Sequence, residues 1–339
     1  MRRKASLANA VFAALLLAAC SPAASQQTPD PDQWRNIDLT AKPVALGATR
    51  VGALVFRGGL ELDSTDAGFG GWSGLDILDD GRLIAISDTG EWFSGRVVLS
   101  DAGELIGVSE PRIALMRDEH GDVFPDKEAA DAEDVAQMPD GRFAVSFEQT
   151  QTIRIYDLNR DGPFGAAQPG PRLAETERLP PNEGLEALTT DGAGAFIVGA
   201  EHGDRGGHMI WVAPFEGQTP VAPVARLRMG AGFGLAGFDR LPDGDYVALE
   251  RFYAPVIGVR IRLERIAKAS LSTGTAEAHP LAYIAPPLAL DNFEGVASVR
   301  KPDGGVRLYL ISDDNFSPRQ RTLLYAFDLD ETSAPTSPR

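Results

Sequence analysis

Five stretches of the sequence repeat one alternation of apolar and polar positions. In each, a short apolar run leads to an Asp-Gly pair, a second apolar run follows, and an acidic residue closes the unit. The stretches are residues 73–88, 133–148, 183–201, 236–250 and 294–313. Asp-Gly between two apolar runs predicts a β-hairpin, because the turn needs positive φ and Gly adopts it without steric cost. We therefore expect five copies of one hairpin.

Further strand-like runs follow each hairpin, so each repeating unit holds about four strands. These runs are residues 96–100, 152–158, 208–213, 256–266 and 321–329, and the units begin 60, 50, 53 and 58 residues apart. That period is typical of a β-propeller blade. The sequence predicts an all-β protein, a β-propeller with five blades. A sixth, degenerate blade within residues 88–132 is the alternative.

The apolar run at residues 50–62 has no hairpin partner of its own, and the last repeat shows only three strands. We expect this N-terminal strand to become the outer strand of the last blade and to close the ring. A closed ring removes the exposed edges that an open stack of sheets would have. Residues 125–136, in a connecting loop, are the one helix-like piece.

The first twenty residues read as a targeting segment. Positive residues at 2–4 precede an apolar core at 10–19, which is too short to span a bilayer as a helix. The core ends in Leu-Ala-Ala-Cys, which looks like a bacterial lipobox, and Cys20 is the single cysteine of the chain. The alternative is an ordinary signal peptide cleaved near residues 23–25, which would give a secreted protein.

These features predict the domain organisation. Residues 1–19 form a lipoprotein signal peptide, and residues 20–43 hold the lipidated Cys20 and a flexible tether rich in Ser, Pro, Gln and Asp. The propeller domain covers residues 44–330, and residues 331–339 form a disordered tail. The lipid on Cys20 would be the contact with the bilayer, on the periplasmic side of the cell envelope, and Ser21 favours the outer membrane.

Charge and motif content narrow the function. The formal net charge is −16, which argues against nucleic acid as a partner because nucleic-acid binding needs a basic surface. The sequence holds no G-x-S-x-G elbow, P-loop, dinucleotide fingerprint or Cys/His zinc pattern. Metal-assisted hydrolysis is the enzyme class that remains. We expect the substrate to be a small-molecule ester or phosphoester and the protein to be a monomer.

Hairpin geometry brings two sets of acids to one face of the propeller. The repeat starts place Glu133, Glu183 and Glu294 around the mouth of the central channel, and the second strands end in a ring of acids (Asp88, Glu148, Glu201, Glu250 and Asp313). Hard divalent cations take six to eight oxygen ligands, so this face predicts a divalent metal site, with calcium favoured. The proposed ligands are Glu133, Glu183, Glu201, Glu294 and Asp313. Alternatively, these acids cap strands and pair with arginines between blades.

The Gly-rich stretch at residues 201–208 holds two of the four histidines. His202 could act as a general base beside Glu183 and Glu294, which complete the candidate catalytic set. Arg205 and Arg251 could hold an anionic group of the substrate. The alternatives are a surface turn for the loop and an ion pair between Arg251 and Glu250.

Six short motifs together resemble the bacterial family known as esterase-like activity of phytase. They are Phe-Gly-Gly-Trp-Ser-Gly-Leu at 69–75, Ala-Ile-Ser-Asp at 85–88, Asn-Glu-Gly-Leu-Glu at 182–186, Ala-Leu-Glu-Arg at 248–251, Asp-Asn-Phe-Glu-Gly at 291–295 and Ser-Asp-Asp-Asn-Phe at 312–316. The resemblance implies a propeller in the cell envelope and hydrolysis of esters or phosphoesters. The chain departs from a well-equipped phytase, because lysines are few and the net charge is strongly negative.

Three functions are weighed. The first is a lipid-anchored propeller hydrolase that uses a divalent metal. The second is a lactonase-like hydrolase, since a metal over a propeller mouth suits lactone opening equally well. The third, from another class, is a non-catalytic propeller that binds a ligand or a protein partner on its acidic face.

Overall fold

The structure is a computed structural model, and it describes residues 33–204, 206–217, 219–330 and 332. Within this part of the chain it is a five-bladed β-propeller with very little helix, as predicted. The signal peptide, Cys20, Arg205 and nearly all of the predicted tail lie outside the described residues. No helix in the described part is long and apolar enough to cross a membrane.

Four strands of different lengths precede the first hairpin. They are β1 (Arg35–Asn36), β2 (Leu39–Pro43), β3 (Arg50–Val51) and β4 (Leu54–Ser64). Blade 1 consists of β5 (Trp72–Ile77), β6 (Arg82–Ser87), β7 (Glu91–Leu99) and β8 (Leu105–Leu115). After a short helix, α1 (Lys127–Ala130), blade 2 consists of β9 (Ala132–Gln137), β10 (Phe143–Phe147), β11 (Thr152–Tyr156) and β12 (Gln168–Pro169).

Blade 3 consists of β13 (Leu185–Thr190), β14 (Ala195–Asp204), β15 (Gly207–Pro214) and β16 (Ala225–Arg228). Blade 4 consists of β17 (Gly234–Arg240), β18 (Tyr246–Ala254), β19 (Gly258–Ile266) and β20 (Thr275–Ile284). Blade 5 consists of β21 (Asn292–Arg300), β22 (Val306–Asp313) and β23 (Thr322–Leu329), with β4 outside them. Single 3-10 turns lie at Gly162–Phe164, Thr176–Arg178 and Lys268–Ser272.

The ring closes as the sequence predicted. β4 pairs antiparallel with β23, from Leu54 opposite Leu329 to Leu62 opposite Thr322. The segment at 88–132 adds strands β7 and β8 to blade 1 and forms no sixth blade. The helix predicted over 125–136 is only one turn long, because its second half forms strand β9.

The predicted boundary between tether and propeller is wrong. β1 pairs with β8, and β2 pairs with β4 along its whole length, from Leu39 opposite Ser64 to Pro43 opposite Leu60. The folded domain therefore includes residues 35–43, which we expected to be flexible. The polar composition of this segment hid it, because strands at the outer edge of a blade need only one buried face.

The five Asp-Gly turns behave as the pattern predicted. The glycines at these turns have φ between 72° and 100°, the region that favours glycine: Gly81, Gly141, Gly192, Gly244 and Gly304. Each turn joins the first and second strands of a blade and lies at the end opposite to the acids. The turns and the acids thus occupy opposite faces of the propeller.

Apolar packing between blades holds the ring together. In the described residues, the buried apolar side chains form five clusters, one between each pair of neighbouring blades. Large aromatic residues anchor them, including Trp92 and Phe143 between blades 1 and 2 and Trp211 between blades 2 and 3. Because burial of such side chains contributes about 1.5–3 kcal/mol each, these interfaces are the main stabilising feature of the fold.

Candidate metal centre at the axial mouth

A cavity of about 640 Å³ opens on the axis at the acidic face, and we call it the axial mouth. Nine carboxylates and two cationic side chains line it. The acids are Asp88, Glu128, Asp131, Glu133, Glu148, Glu186, Glu201, Glu294 and Asp313, and the cations are Lys127 and Arg251. This imbalance concentrates negative charge in one concave space.

A β-bulge at the same place in each innermost strand delivers the first set of acids. The pairing register shifts between Trp72 and Gly74, between Ala132 and Val135, between Leu185 and Ala187, between Leu235 and Gly237, and between Phe293 and Gly295. The bulged segments carry Ser73, Glu133, Glu186, Ala236 and Glu294. A bulge re-aims a side chain out of the regular alternation. Four of these five residues line the axial mouth, and Ala236 is the exception.

The inner strands also approach one another closely just below the bulges. A Cβ added at Gly74 would lie 2.8 Å from the Cα of Asp134, and one added at Gly237 would lie 2.8 Å from the carbonyl oxygen of Glu294. Only glycine fits at such close backbone contacts. In four of the five blades a small residue follows the bulge (Gly74, Ala187, Gly237 and Gly295), and it allows the inner strands that carry the acids to approach closely.

The ends of the second strands supply the second set of acids. Asp88, Glu148, Glu201 and Asp313 line the axial mouth, as the hairpin geometry predicted. Glu250, the equivalent acid of blade 4, is fully buried outside it, with its Oε2 3.9 Å from Nη1 of Arg262. Blade 4 therefore contributes Arg251 rather than an acid.

Arg251 and Lys127 are the two cations that offset this charge. Nη2 of Arg251 lies 3.3 Å from Oε1 of Glu201, and its Nη1 lies 3.5 Å from Oε1 of Glu294 and donates to Oδ1 of Asn292 at 3.0 Å. Lys127 pairs with Asp88 and, at 3.3 Å, with Asp131. The predicted pair of Arg251 with Glu250 does not form.

Burial and mutual repulsion make these acids hard to ionise. Burial, with Glu294 and Asp131 as the nearest like charges, raises the pKa of Glu133 well above its ordinary value, and burial with Glu133 and Glu201 does the same for Glu186. Burial raises the pKa of Glu148 to about 7 and, with Glu294, that of Asp313 to about 8. The neighbouring Glu201 and Glu294 also have raised pKa values from burial, although Arg251 opposes the shift.

Two overlapping groups of carboxylates could each hold a metal ion. The first is Asp131, Glu133 and Glu148, and the second is Glu148, Glu186 and Glu201; in each, one oxygen per residue lies within 4.8 Å of the others. In addition, Oδ1 of Asp88 is buried without a hydrogen-bond partner. Such an all-oxygen donor set fits a hard divalent cation such as calcium and does not fit zinc, which prefers nitrogen and sulfur.

The predicted metal ligands divide between the mouth and its edge. Glu133, Glu201, Glu294 and Asp313 line the axial mouth, whereas Glu183 lines a neighbouring cavity of about 750 Å³ between blades 3 and 4. From the start of blade 3, the residue that lines the axial mouth is Glu186. The sequence pattern favoured Glu183 because Glu-Gly-Leu matches the start of the last repeat, whereas the bulge lies three residues later.

His202 and Glu183 form a pair at the edge of the site. Nδ1 of His202 lies 2.5 Å from Oε2 of Glu183, and the His202 N–H donates to the Glu183 carbonyl at 3.0 Å. Both side chains are partly exposed to solvent. The pair is therefore accessible, and the carboxylate orients the imidazole ring.

Sequence reasoning did not select Asp131, Glu148, Glu186 or Lys127 as site residues. Glu148 stood in the predicted ring of acids that end the second strands, so the period itself was the signal for it, whereas Glu186 lies three residues after the repeat start at Glu183. Asp131 and Lys127 come from the connection before blade 2, where α1 begins with Asp126 capping the Ala129 N–H. No repeat marks that connection, so only the folded chain brings it to the mouth.

The comparisons with known proteins identify the family. The sequence profile of the Phytase-like family, described as esterase-like activity of phytase, matches residues 67–316. The chain belongs to the Phytase-like family. The match runs from β5 to β22, so it includes strands of every blade and all residues of the axial mouth. A search of curated proteins returns no significant match.

Solved structures similar to this Phytase-like propeller share little sequence with it. A gluconolactonase from Xanthomonas campestris is 12% identical, with 88% of this chain and 99% of that chain covered and a TM-score of 0.42. A PQQ-bound aldose sugar dehydrogenase from Streptomyces coelicolor is 15% identical, with 86% and 99% covered and a TM-score of 0.40. A virginiamycin B lyase from Staphylococcus aureus is 10% identical, with 86% and 100% covered and a TM-score of 0.42. Likeness at this level carries no information about activity.

Proposed function

We propose that this Phytase-like propeller is a divalent-metal-dependent hydrolase of phosphate or carboxylic esters, with calcium as the first candidate metal. The observation that carries the proposal is the pair of carboxylate groups that share Glu148. Like charges crowded in a buried space are costly unless a cation compensates them, and Lys127 and Arg251 are too few to balance nine acids.

The donor set assigns roles to the residues. Asp131, Glu133, Glu148, Glu186 and Glu201 would hold the cation, and Glu294 and Asp313 would stand beside it. A bound divalent cation would supply Lewis acidity toward an ester or phosphoester oxygen. Arg251 holds Glu201 and Glu294 in place from blade 4.

His202 is the proposed general base. Its ring is oriented by Glu183, and histidine is the side chain that most often serves as a general base. It directly follows Glu201, which lines the axial mouth, in strand β14. A proton taken at its Nε2 could leave to solvent, because the side chain is partly exposed.

The proposal also covers location. The lipobox-like sequence ending in Cys20 supports a lipid anchor that holds the propeller on the periplasmic side of the cell envelope, in the outer membrane. We expect Cys20→Ala to move the protein from the membrane fraction to the soluble fraction. A protein that stays in the membrane fraction after this change would contradict the anchor.

The activity is tested with p-nitrophenyl acetate, p-nitrophenyl phosphate and a simple lactone, each with added calcium and with chelator. We expect turnover of at least one substrate, lost with chelator and reduced on the order of 100-fold in Glu186→Gln. Turnover that survives both treatments would contradict a metal-dependent site. Turnover absent under every condition would favour a propeller that only binds a ligand.

A further inference from the structure

A second cavity, of about 490 Å³, opens beside the axial mouth between blades 4 and 5, and we call it the side cavity. Its lining is Arg251, Tyr253, Val259, Asp291, Asn292, Asn315, Ser317, Arg319 and Gln320. Arg251, Asn292 and Asn315 line both cavities. A molecule bound at the axial mouth could therefore extend directly into the side cavity.

The two cavities differ in charge. The side cavity has two arginines and one carboxylate, and that carboxylate, Asp291, faces Arg321 with 3.4 Å between Oδ2 and Nε. Arg319 is exposed, and in the described part of the chain no acid lies within ion-pair distance of it. The side cavity thus favours an anion, next to a mouth that favours a cation.

The loop that joins the two cavities is held in a strained conformation. Asn315 and Phe316 have φ of 49° and 48°, left-handed values that asparagine tolerates but that cost about 1–2 kcal/mol for a bulky side chain such as Phe316. The carboxylates of Asp313 and Asp314 hold them there, accepting from the Asn315 N–H at 2.6 Å and the Phe316 N–H at 3.0 Å. Such strain is concentrated at functional sites. It fixes Asn315 at the boundary of the two cavities.

We propose that the side cavity binds an anionic group of the substrate, a carboxylate or a phosphate, while the ester bond lies over the axial mouth. This rests on the proposed function and narrows the substrate class to esters that carry a negative charge near the reacting bond. Arg319 provides the guanidinium, which binds such oxygens through two parallel hydrogen bonds. Asn315, Ser317 and Gln320 provide further polar contacts, and Tyr253 forms the outer wall.

The first test measures binding without turnover. Phenylphosphonate is titrated into the calcium-loaded mature protein by calorimetry, with Arg319→Gln, Arg319→Lys and, as control, Arg228→Gln, which removes an exposed arginine from the cavity between blades 3 and 4. We expect at least tenfold weaker binding in Arg319→Gln, partial recovery in Arg319→Lys and no change in the control. No binding to the wild type, or equal binding by Arg319→Gln and Arg228→Gln, would overturn the proposal.

The second test compares the hydrolysis of mono-p-nitrophenyl succinate with that of p-nitrophenyl acetate. We expect Arg319→Gln to raise the ratio of the KM for the succinate ester to that for the acetate ester at least tenfold. An unchanged ratio in an active enzyme overturns the side cavity as a subsite but leaves the hydrolase. Arg319-dependent binding of phenylphosphonate without hydrolysis of either ester leaves the subsite and rejects the hydrolase.

Discussion

Two sets of carboxylates face the axis of this propeller, and they differ in their hydrogen-bond donors. Asp76, Asp134 and Asp239 accept backbone N–H groups from neighbouring inner strands, and we call them the tie carboxylates. Asp76 accepts from Gln137 at 2.7 Å, and Asp134 accepts from Leu188 at 2.8 Å. They hold the blades together through hydrogen bonds.

The mouth acid Glu133 directly precedes Asp134 on β9, and the mouth acid Glu186 lies on the next inner strand, β13. In the described residues, no backbone N–H reaches either carboxylate, and their nearest charged neighbours include other acids. Asp134 is as buried as Glu133 and Glu186, so burial does not distinguish the two sets. The presence or absence of donors does, and it separates acids that backbone N–H groups stabilise from acids that we propose to bind a cation.

The largest effect is expected at a tie carboxylate. Asp134→Ala removes the acceptor for three backbone N–H groups, those of Val135, Leu188 and Phe238. Buried donors left without partners cost roughly 1–3 kcal/mol each, so we expect the free energy of unfolding to fall by about 3 kcal/mol or more. Urea denaturation followed by circular dichroism measures this. A loss below about 1 kcal/mol would remove the distinction between the two sets.

The substitution Glu133→Gln, next to Asp134, should affect calcium binding rather than lower the stability of the metal-free protein. The change removes a buried like charge, so we expect the metal-free protein to become slightly more stable. Calcium affinity should fall on the order of 100-fold, because a charged ligand is lost. Calorimetry with calcium and thermal melting with chelator give both values on one sample. Reduced stability with unchanged calcium affinity would show that Glu133 is another tie carboxylate and does not bind the metal.

His202→Gln tests the edge of the site. We expect turnover to fall on the order of 100-fold with calcium affinity unchanged, since the ring acts as a base and lies outside both carboxylate groups. Glu183→Gln is the matched variant, and its effect should be smaller because the ring remains. A His202→Gln enzyme as active as the wild type would rule out this role.

The pH dependence of stability follows from the raised pKa values in the mouth. Glu148 shifts from 4.5 to about 7 and Asp313 from 3.8 to about 8. A group whose folded pKa is raised stabilises the fold below its unfolded pKa, and that contribution is lost as pH rises through the folded pKa. The metal-free protein should therefore lose at most about 1.4 kcal/mol per pH unit from each group, up to about pH 7 for Glu148 and up to about pH 8 for Asp313.

Calcium should oppose this loss, because it replaces the protons as the compensating charge. Melting temperatures at pH 5, 6, 7 and 8, with calcium and with chelator, measure the difference. We expect the two curves to separate as pH rises. Curves that stay parallel across this range would mean that the mouth acids do not bind calcium.

The smallest effect is expected at Glu250. It is the blade 4 equivalent of the mouth acids, but it is buried outside the mouth, where burial and Glu264 raise its pKa to about 8. Glu250→Gln should change calcium affinity less than twofold and stability by under about 1 kcal/mol. A large fall in calcium affinity would place the metal nearer to blade 4 than the two carboxylate groups do.

The sequence predicted the ring because its signals are local. Asp-Gly turns, apolar alternation and a steady period each follow from backbone chemistry within one hairpin, and the unpaired run before residue 64 indicated the closure. The acids at the ends of the second strands were predicted for the same reason. They are placed by the strand itself: Asp88 and Glu148 immediately follow their strands, Asp313 ends its strand, and Glu201 lies in the last part of β14, before its end at Asp204.

The rest of the site depends on features that no short stretch encodes. The bulge that selects Glu186 over Glu183 is a property of strand pairing, and both residues precede an apolar position. The position of Arg251 between Glu201 and Glu294 requires three blades to be assembled. Lys127 and Asp131 come from a connection outside the repeat. Local patterns could not supply these contacts.

The most direct test of the account is calcium binding at Glu148, the residue common to both carboxylate groups. Calcium is titrated by calorimetry into the chelator-treated mature protein and into its Glu148→Gln variant, and both are melted with and without calcium. We predict saturable binding and a higher melting temperature for the wild type, with both effects strongly reduced in Glu148→Gln. A wild type that shows no binding heat, and whose melting temperature neither calcium nor chelator changes, would contradict the metal centre.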